Sequence, residues 1–164
     1  MQSLFIPSIM TQTDLILLNF EEIRRKSIRL WQGLPESHYH WKPDAEALTA
    51  IELVRHVLQA DYGWKMIINQ EDMRNYSTPW EGRPLVSVAE ELAFAKPYRA
   101  AFLASVQQFS AEQLRDTEII HPGNGERKNL GQYLLRIGYH ESVHAGQFLA
   151  YLRAMGLSRP QIWD

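Results

Sequence analysis

Apolar residues recur every three or four positions over four stretches of the chain, and Pro, Gly or Asn bounds each stretch. The first runs from about Thr13 to Trp31. Leu15 and Leu18 share it with Glu22 and Arg25, and Gly33 followed by Pro35 stops it. Thr49-Ala50-Ile51-Glu52 has the form of a capping box and opens a second helix to about Asn69. Leu53, Val57, Ala60, Trp64 and Ile67 keep helical spacing along it. Ser87-Val88-Ala89-Glu90 has the same form and opens a third helix to about Phe109, with Val88, Leu92, Ala95, Phe102, Val106 and Phe109 facing inward. Pro97 falls inside that pattern and predicts a kink or a break. Asn129 caps a fourth helix, which ends near Met155 with Gly156 as C-cap and Pro160 beyond.

The segments between are of a different kind. Residues 37–44 form a connector with an aromatic anchor, Glu71 to Pro84 reads as a long loop, and His121-Pro122-Gly123-Asn124-Gly125 reads as a turn. No internal repeat, low-complexity tract or strand-like alternation of useful length is present. The pattern predicts an all-α fold, an antiparallel four-helix bundle with longer crossovers where the loops are long. One domain spans residues 11–164. Residues 1–10 are mildly apolar and read as an extension or docking arm, with Met10 as an alternative start.

Composition narrows the function. The 164 residues suit one core, and 45% hydrophobic with 22% charged residues is ordinary for a soluble globular chain. A net charge of -2 gives no general attraction to phosphate backbones, so no nucleic-acid partner is expected. There is no cysteine, which removes disulfides, thiolate ligands and a cysteine nucleophile together. That fits a reducing cytoplasm. The N-terminus lacks the features of a signal peptide, and no stretch is apolar enough to span a membrane.

The chemistry concentrates on the fourth helix. His140 and His144 lie four apart, so both imidazoles leave one face, a turn apart, within reach of one divalent ion. Tyr133, Ile137, Tyr151 and Met155 continue the same stripe, so the histidines interrupt an apolar seam. Buried imidazoles need partners. Each can hydrogen-bond a neighbouring side chain or water, or one metal ion can satisfy both. His56 on the second helix, on a face with small residues up to Gly63, supplies a third candidate ligand. Facing helices are where bundles build metal sites. Gly63 and Gly146 suggest close approach or a cavity, because glycine inside a helix is otherwise unfavourable. Three neutral imidazoles leave coordination positions open, which is the catalytic arrangement.

His140-Glu141-x-x-His144 also matches the zinc-protease signature. A protease needs a third ligand, usually downstream, and the chain after His144 holds no histidine or glutamate, only Asp164; the position of the extended motif's third histidine is Ala150. The protease reading fails. Glu141 then reads as an interhelix salt-bridge partner or a group beside the ligands, with a general-base role as the catalytic alternative. Gln59, Asp61 and Gln147 are placed to orient the histidine rings, or to be ordinary helix-surface residues. His38, His40 and His121 read as loop polar residues.

Three groups of residues together resemble the DinB/YfiT-like family of small bacterial helical-bundle proteins. They are Trp41-Lys42-Pro43 ahead of the Thr49-capped helix; Glu52-Leu53-Val54-Arg55-His56-Val57-Leu58 with Trp64; and His140-Glu141-Ser142-Val143-His144-Ala145-Gly146-Gln147 with Tyr151-Leu152-Arg153 and Gly156. The likeness covers nearly the whole chain from Met10. It implies a four-helix bundle binding a divalent metal through His56, His140 and His144, often as a homodimer. Some members of that family are transferases or isomerases that use a low-molecular-weight thiol such as bacillithiol or mycothiol.

The expectation is therefore a cytoplasmic metal-dependent enzyme of thiol-transferase type, acting on an electrophilic small molecule with a low-molecular-weight thiol as cosubstrate. The rivals are a non-enzymatic metal- or ligand-binding stress protein, a metal-dependent hydrolase, and a structural bundle with satisfied core histidines. The metal (zinc, nickel, iron or manganese) is not legible, because availability often decides occupancy.

Overall fold

The computed structural model of the chain describes residues 10–162; apart from Met10, the expected N-terminal arm lies outside them. Four long helices form the bundle: α1 (Gln12–Gln32), α2 (Ala50–Ile68), α3 (Val88–Gln107) and α5 (Leu130–Ala154). Between α3 and α5 lie a short helix, α4 (Ala111–Asp116), and two strands, β1 (Glu118–Ile120) and β2 (Arg127–Asn129). A single 3-10 turn, Glu36–His38, follows α1.

Each long helix begins on a residue that satisfies its free N–H groups. Thr49 and Glu52 cap α2 reciprocally, as do Asn129 and Gln132 on α5 and Thr11 and Asp14 on α1. Ser87 accepts from Glu90 N at the start of α3. At the far end of α5, Gly156 takes φ +71°, and Leu157 N–H reaches back to the Leu152 carbonyl at 2.9 Å. That is a left-handed stop which costs glycine nothing. Pro97 does not break α3. Both Pro97 and Ala93, whose carbonyl loses its partner, are exposed, so water can take the freed group.

Around the bundle the order is α1, α3, α2, α5, so α1 and α2, successive in the chain, are diagonal. The expected antiparallel arrangement holds for only half of the neighbours. Thr13 bonds Phe109 O and Phe20 packs on Phe102, so α1 and α3 are antiparallel; His56 on His144 and Trp64 on Tyr133 make α2 and α5 antiparallel. By contrast Arg55 meets Glu91, Asp61 meets Arg99 and Asn69 meets Ser105, so α2 and α3 run parallel. Asn19 and Phe20 abut Gly138 while Arg24 bonds Glu141, so α1 and α5 are parallel too. Parallel neighbours need a connection that returns the length of the bundle. The α2–α3 loop makes that return, which explains its length.

The hairpin and α4 depart from the sequence expectation. Glu118 pairs with Asn129, Ile119 with Lys128 and Ile120 with Arg127, across the turn read from His121 to Gly125. Strands of three residues are too short for alternation to show. Only Ile119 is buried, and it plugs the bundle end. The start of α4 did have a signal, the Ser110/Gln113 capping box.

The core falls into two apolar clusters. One gathers Leu30, Trp31, Leu53, Val57, Phe148 and Leu152; the other gathers Phe20, Ile67, Phe102, Leu130, Leu134 and Ile137. Between them lies a charged layer to which every long helix contributes one residue.

Candidate metal centre

Because α2 and α5 lie side by side and antiparallel, His56 comes opposite the pair His140 and His144. One nitrogen from each ring lies within 4.8 Å of the others. The Nε2 atoms of His140 and His144 are 3.1 Å apart. Nitrogens sharing one ion at about 2.0–2.1 Å sit roughly 3–3.5 Å from one another, so that pair already has ligand spacing and His56 needs only a small closing movement. The three rings are partly exposed, which leaves the centre open to small molecules. Burial, then the neighbouring His144, His56 and Arg136, push the His140 pKa down to about 4, with Glu141 opposing. Burial and then His144 also lower that of His56. Both rings are neutral at pH 7, the form that binds metal. The donor set fits a divalent transition ion.

Of the polar residues expected beside the ligands, Gln147 is in place, with its Oε1 2.9 Å from His144 Nδ1. Asp61 is not: it faces the charged layer. So does Glu141, which is buried, with Oε1 accepting from Arg24 Nε at 2.7 Å and Oε2 from Arg24 Nη2 at 3.1 Å. A general base needs a free oxygen toward the reacting group. The geometry gives Glu141 the salt-bridge role, and the base role finds no support in it.

The layer continues from there. Arg24 Nη1 and Nη2 both donate to Asp61 Oδ2 at 3.1 Å, and Arg99 Nη1 donates to Asp61 Oδ1 at 3.0 Å while its Nη2 donates to the Phe20 carbonyl. Two guanidinium groups thus meet two carboxylates in a site nearly closed to water. Burial opposes the Arg24 charge, but Asp61 and Glu141 outweigh it and raise the pKa. Burial, then Arg24, lower that of Arg99. Sequence reading placed only Glu22 and Arg25 of α1 on a charged face. The signal for the layer was Phe20, Arg24, Ser27 and Trp31 at helical spacing, a cation inside a buried stripe.

Trp64 forms a wall of the centre, edge-on to His140 with centroids 5.6 Å apart. The Arg136 guanidinium lies 5.6 Å from the Trp64 ring and 5.5 Å from that of Tyr133. Gly63 is a close approach, as expected: a Cβ there would stand 2.9 Å from the Tyr76 hydroxyl. Gly146 is the reverse, with open space where its Cβ would be; it lines a surface groove of about 1020 Å³ against residues 157–161. His38, His40 and His121 are not among the three converging rings; His121 Nδ1 accepts from Gly123 N within its own turn, and its ring lies 6.3 Å from that of Tyr133.

Fold and centre together define a helical bundle with a three-histidine group between facing helices. The chain belongs to the DinB superfamily, whose sequence model matches residues 19–148. The uncharacterized protein YjoA of Bacillus subtilis is 28% identical over 148 residues, covering 90% of this chain and 93% of YjoA. The crystal structure of YjoA, a DinB-like protein, superposes with a TM-score of 0.68 at 25% identity, over 90% of this chain and 96% of that one. Two further structures share the fold. A DinB-like protein from Bacillus cereus has a TM-score of 0.70 at 15% identity, over 90% of this chain and 95% of that one. YfiT from Bacillus subtilis, described as a probable metal-dependent hydrolase with an unusual four-helix bundle topology, has 0.70 at 17% identity over 96% and 95%. No described helix is long and apolar enough to cross a membrane.

Proposed function

We propose that this protein is a metal-dependent enzyme in which His56, His140 and His144 hold a divalent transition ion and a low-molecular-weight thiol attacks an electrophilic small molecule. The observation that carries the reading is the convergence of three imidazole nitrogens within 4.8 Å from two helices. Such an ion, when bound, supplies the charge that makes a thiol or a water molecule an anionic nucleophile at neutral pH.

The chain's own residues favour the thiol. Three imidazoles leave room beside them for an incoming ligand. Glu141, the one carboxylate whose charge reaches His140, has both oxygens engaged by Arg24. A thiol with an ordinary pKa near 8.5 is far closer to ionisation than water and needs no base from the protein. In the transfer its proton goes to solvent, a carbon–sulfur bond forms, and the leaving group departs with its electron pair. The protein has no cysteine, so the sulfur comes from outside.

A second reading uses water in place of the thiol, making the protein a hydrolase; the shared fold with YfiT favours it. The zinc-loaded protein should conjugate bacillithiol to a chlorobimane, and a chelator should abolish the reaction. Hydrolysis of activated esters without conjugation would select the hydrolase. Stoichiometric metal with neither turnover would select a binding module.

The homodimer expected from the family finds support on α5. Leu135, Tyr139 and Val143 are 58%, 71% and 47% exposed at four-residue intervals along the helix. A second copy of the chain is the occupant that would cover this ridge.

A further inference from the structure

Next to the three histidines lies a second polar group that the thiol chemistry leaves unused. Tyr133 is 1% exposed, and its hydroxyl has no hydrogen-bond partner. Arg136, one turn before His140 on the same face of α5, has a buried Nη1 that is likewise unpartnered. The guanidinium stands beside the Tyr133 hydroxyl, but the pair does not meet hydrogen-bond geometry. The guanidinium N–H can only donate and the hydroxyl can donate or accept, and neither is paired. Such donors are rare inside proteins and expensive to leave unpaired.

Arg136 also has no ion-pair partner among the described residues. Its charge is felt by Glu126 on the hairpin, but that carboxylate is bonded to Lys128. The arginines of the charged layer, Arg24 and Arg99, are by contrast matched by carboxylates. The Arg136 guanidinium lies against Trp64, whose indole in turn packs edge-on to His140, so the pair borders the centre. Arg136 and Trp64 are partly exposed, so the group borders the surface.

We propose that Arg136 and Tyr133, flanked by Trp64, form a carboxylate-binding subsite that selects substrates with an anionic end. A carboxylate has two oxygens, and the site offers two neighbouring donors, one of them charged; charge-assisted bonds are the strong ones. The wall of Trp64 offers an apolar face to the carbons next to the carboxylate. The inference extends the enzyme reading above by naming a substrate class, but its binding step does not require the metal.

The test is a titration of succinate, with succinamide as the uncharged control, into the full chain with and without one equivalent of zinc. The readout is the NMR signal of the Trp64 indole N–H, assigned by its loss in Trp64→Phe. Succinate should shift that signal saturably and succinamide should not. Arg136→Gln should weaken succinate about tenfold and Tyr133→Phe by a smaller factor, both with unchanged zinc stoichiometry. Arg136→Lys, which keeps the charge and loses the fork, should fall between wild type and Arg136→Gln. Equal binding of acid and amide, or a Tyr133→Phe and Arg136→Lys that both bind succinate as wild type does, overturns the subsite. A protein that takes no zinc yet binds succinate through Arg136 supports the subsite and removes the metal reading instead.

Discussion

The amide oxygen of Gln147 faces Nδ1 of His144 at 2.9 Å, and this contact settles which nitrogen of the ring is free. The order of donors is fixed from one end. Leu48 presents a carbonyl, so the Tyr151 hydroxyl donates to it at 3.1 Å and accepts a longer contact from Gln147 Nε2 at 3.5 Å. That leaves the Gln147 oxygen as acceptor, so His144 carries its proton on Nδ1 and turns the lone pair of Nε2 toward His140.

Gln147→Ala should therefore weaken zinc binding about 10–100-fold, the usual scale for losing an orienting partner of a histidine ligand. Competition with a chromogenic chelator measures it. An unchanged affinity would show that the tautomer is set by something else.

Replacing His56, His140 or His144 singly with Ala should remove stoichiometric zinc, read by elemental analysis of untagged protein, while circular dichroism keeps its helical signal. The rings are partly exposed and the core clusters do not depend on them. Full metal retention in all three variants would sink the site.

Arg24→Met should cost stability on the order of 3–5 kcal/mol, because it strands Glu141 and part of Asp61 in a buried place without their counter-charge. Urea unfolding of the metal-free protein reads this directly. A loss under 1 kcal/mol would mean that water replaces the guanidinium.

Acid should destabilise the metal-free protein in a window that His140 defines. Its pKa is about 4 in the fold against 6.5 for the free side chain, so between these values the unfolded chain binds the extra proton. Stability is then complete above pH 6.5 and declines as the pH falls toward 4. His140→Leu should flatten that part of the curve of melting temperature against pH. A decline equally steep in the variant would assign the effect to other groups.

Tyr139→Lys should shift the protein from dimer to monomer in sedimentation, with helicity unchanged, since Tyr139 is the most exposed member of the α5 ridge. A wild type that sediments as a monomer at every concentration would refute the dimer.

Much of this was legible beforehand. Capping residues fall where the helices start, because Thr49, Ser87 and Asn129 act through neighbours three positions away. The histidine group was legible because four-residue spacing is a local property and the apolar stripe showed which face turns inward. Helix direction was not. Whether α2 runs with or against α3 depends on a long loop whose path has no periodic signal. The salt-bridge role of Glu141 was among the readings, but its partner was hidden for the same reason: Arg24 is 117 positions away.

The charged layer has one consequence for how such a chain can change over time. Arg24, Arg99, Asp61 and Glu141 sum to zero charge, and each comes from a different helix. Losing any one strands a charge in the core, so drift at a single position is penalised even though no one contact is irreplaceable. The four positions should covary among relatives, kept as a set or replaced together by apolar residues.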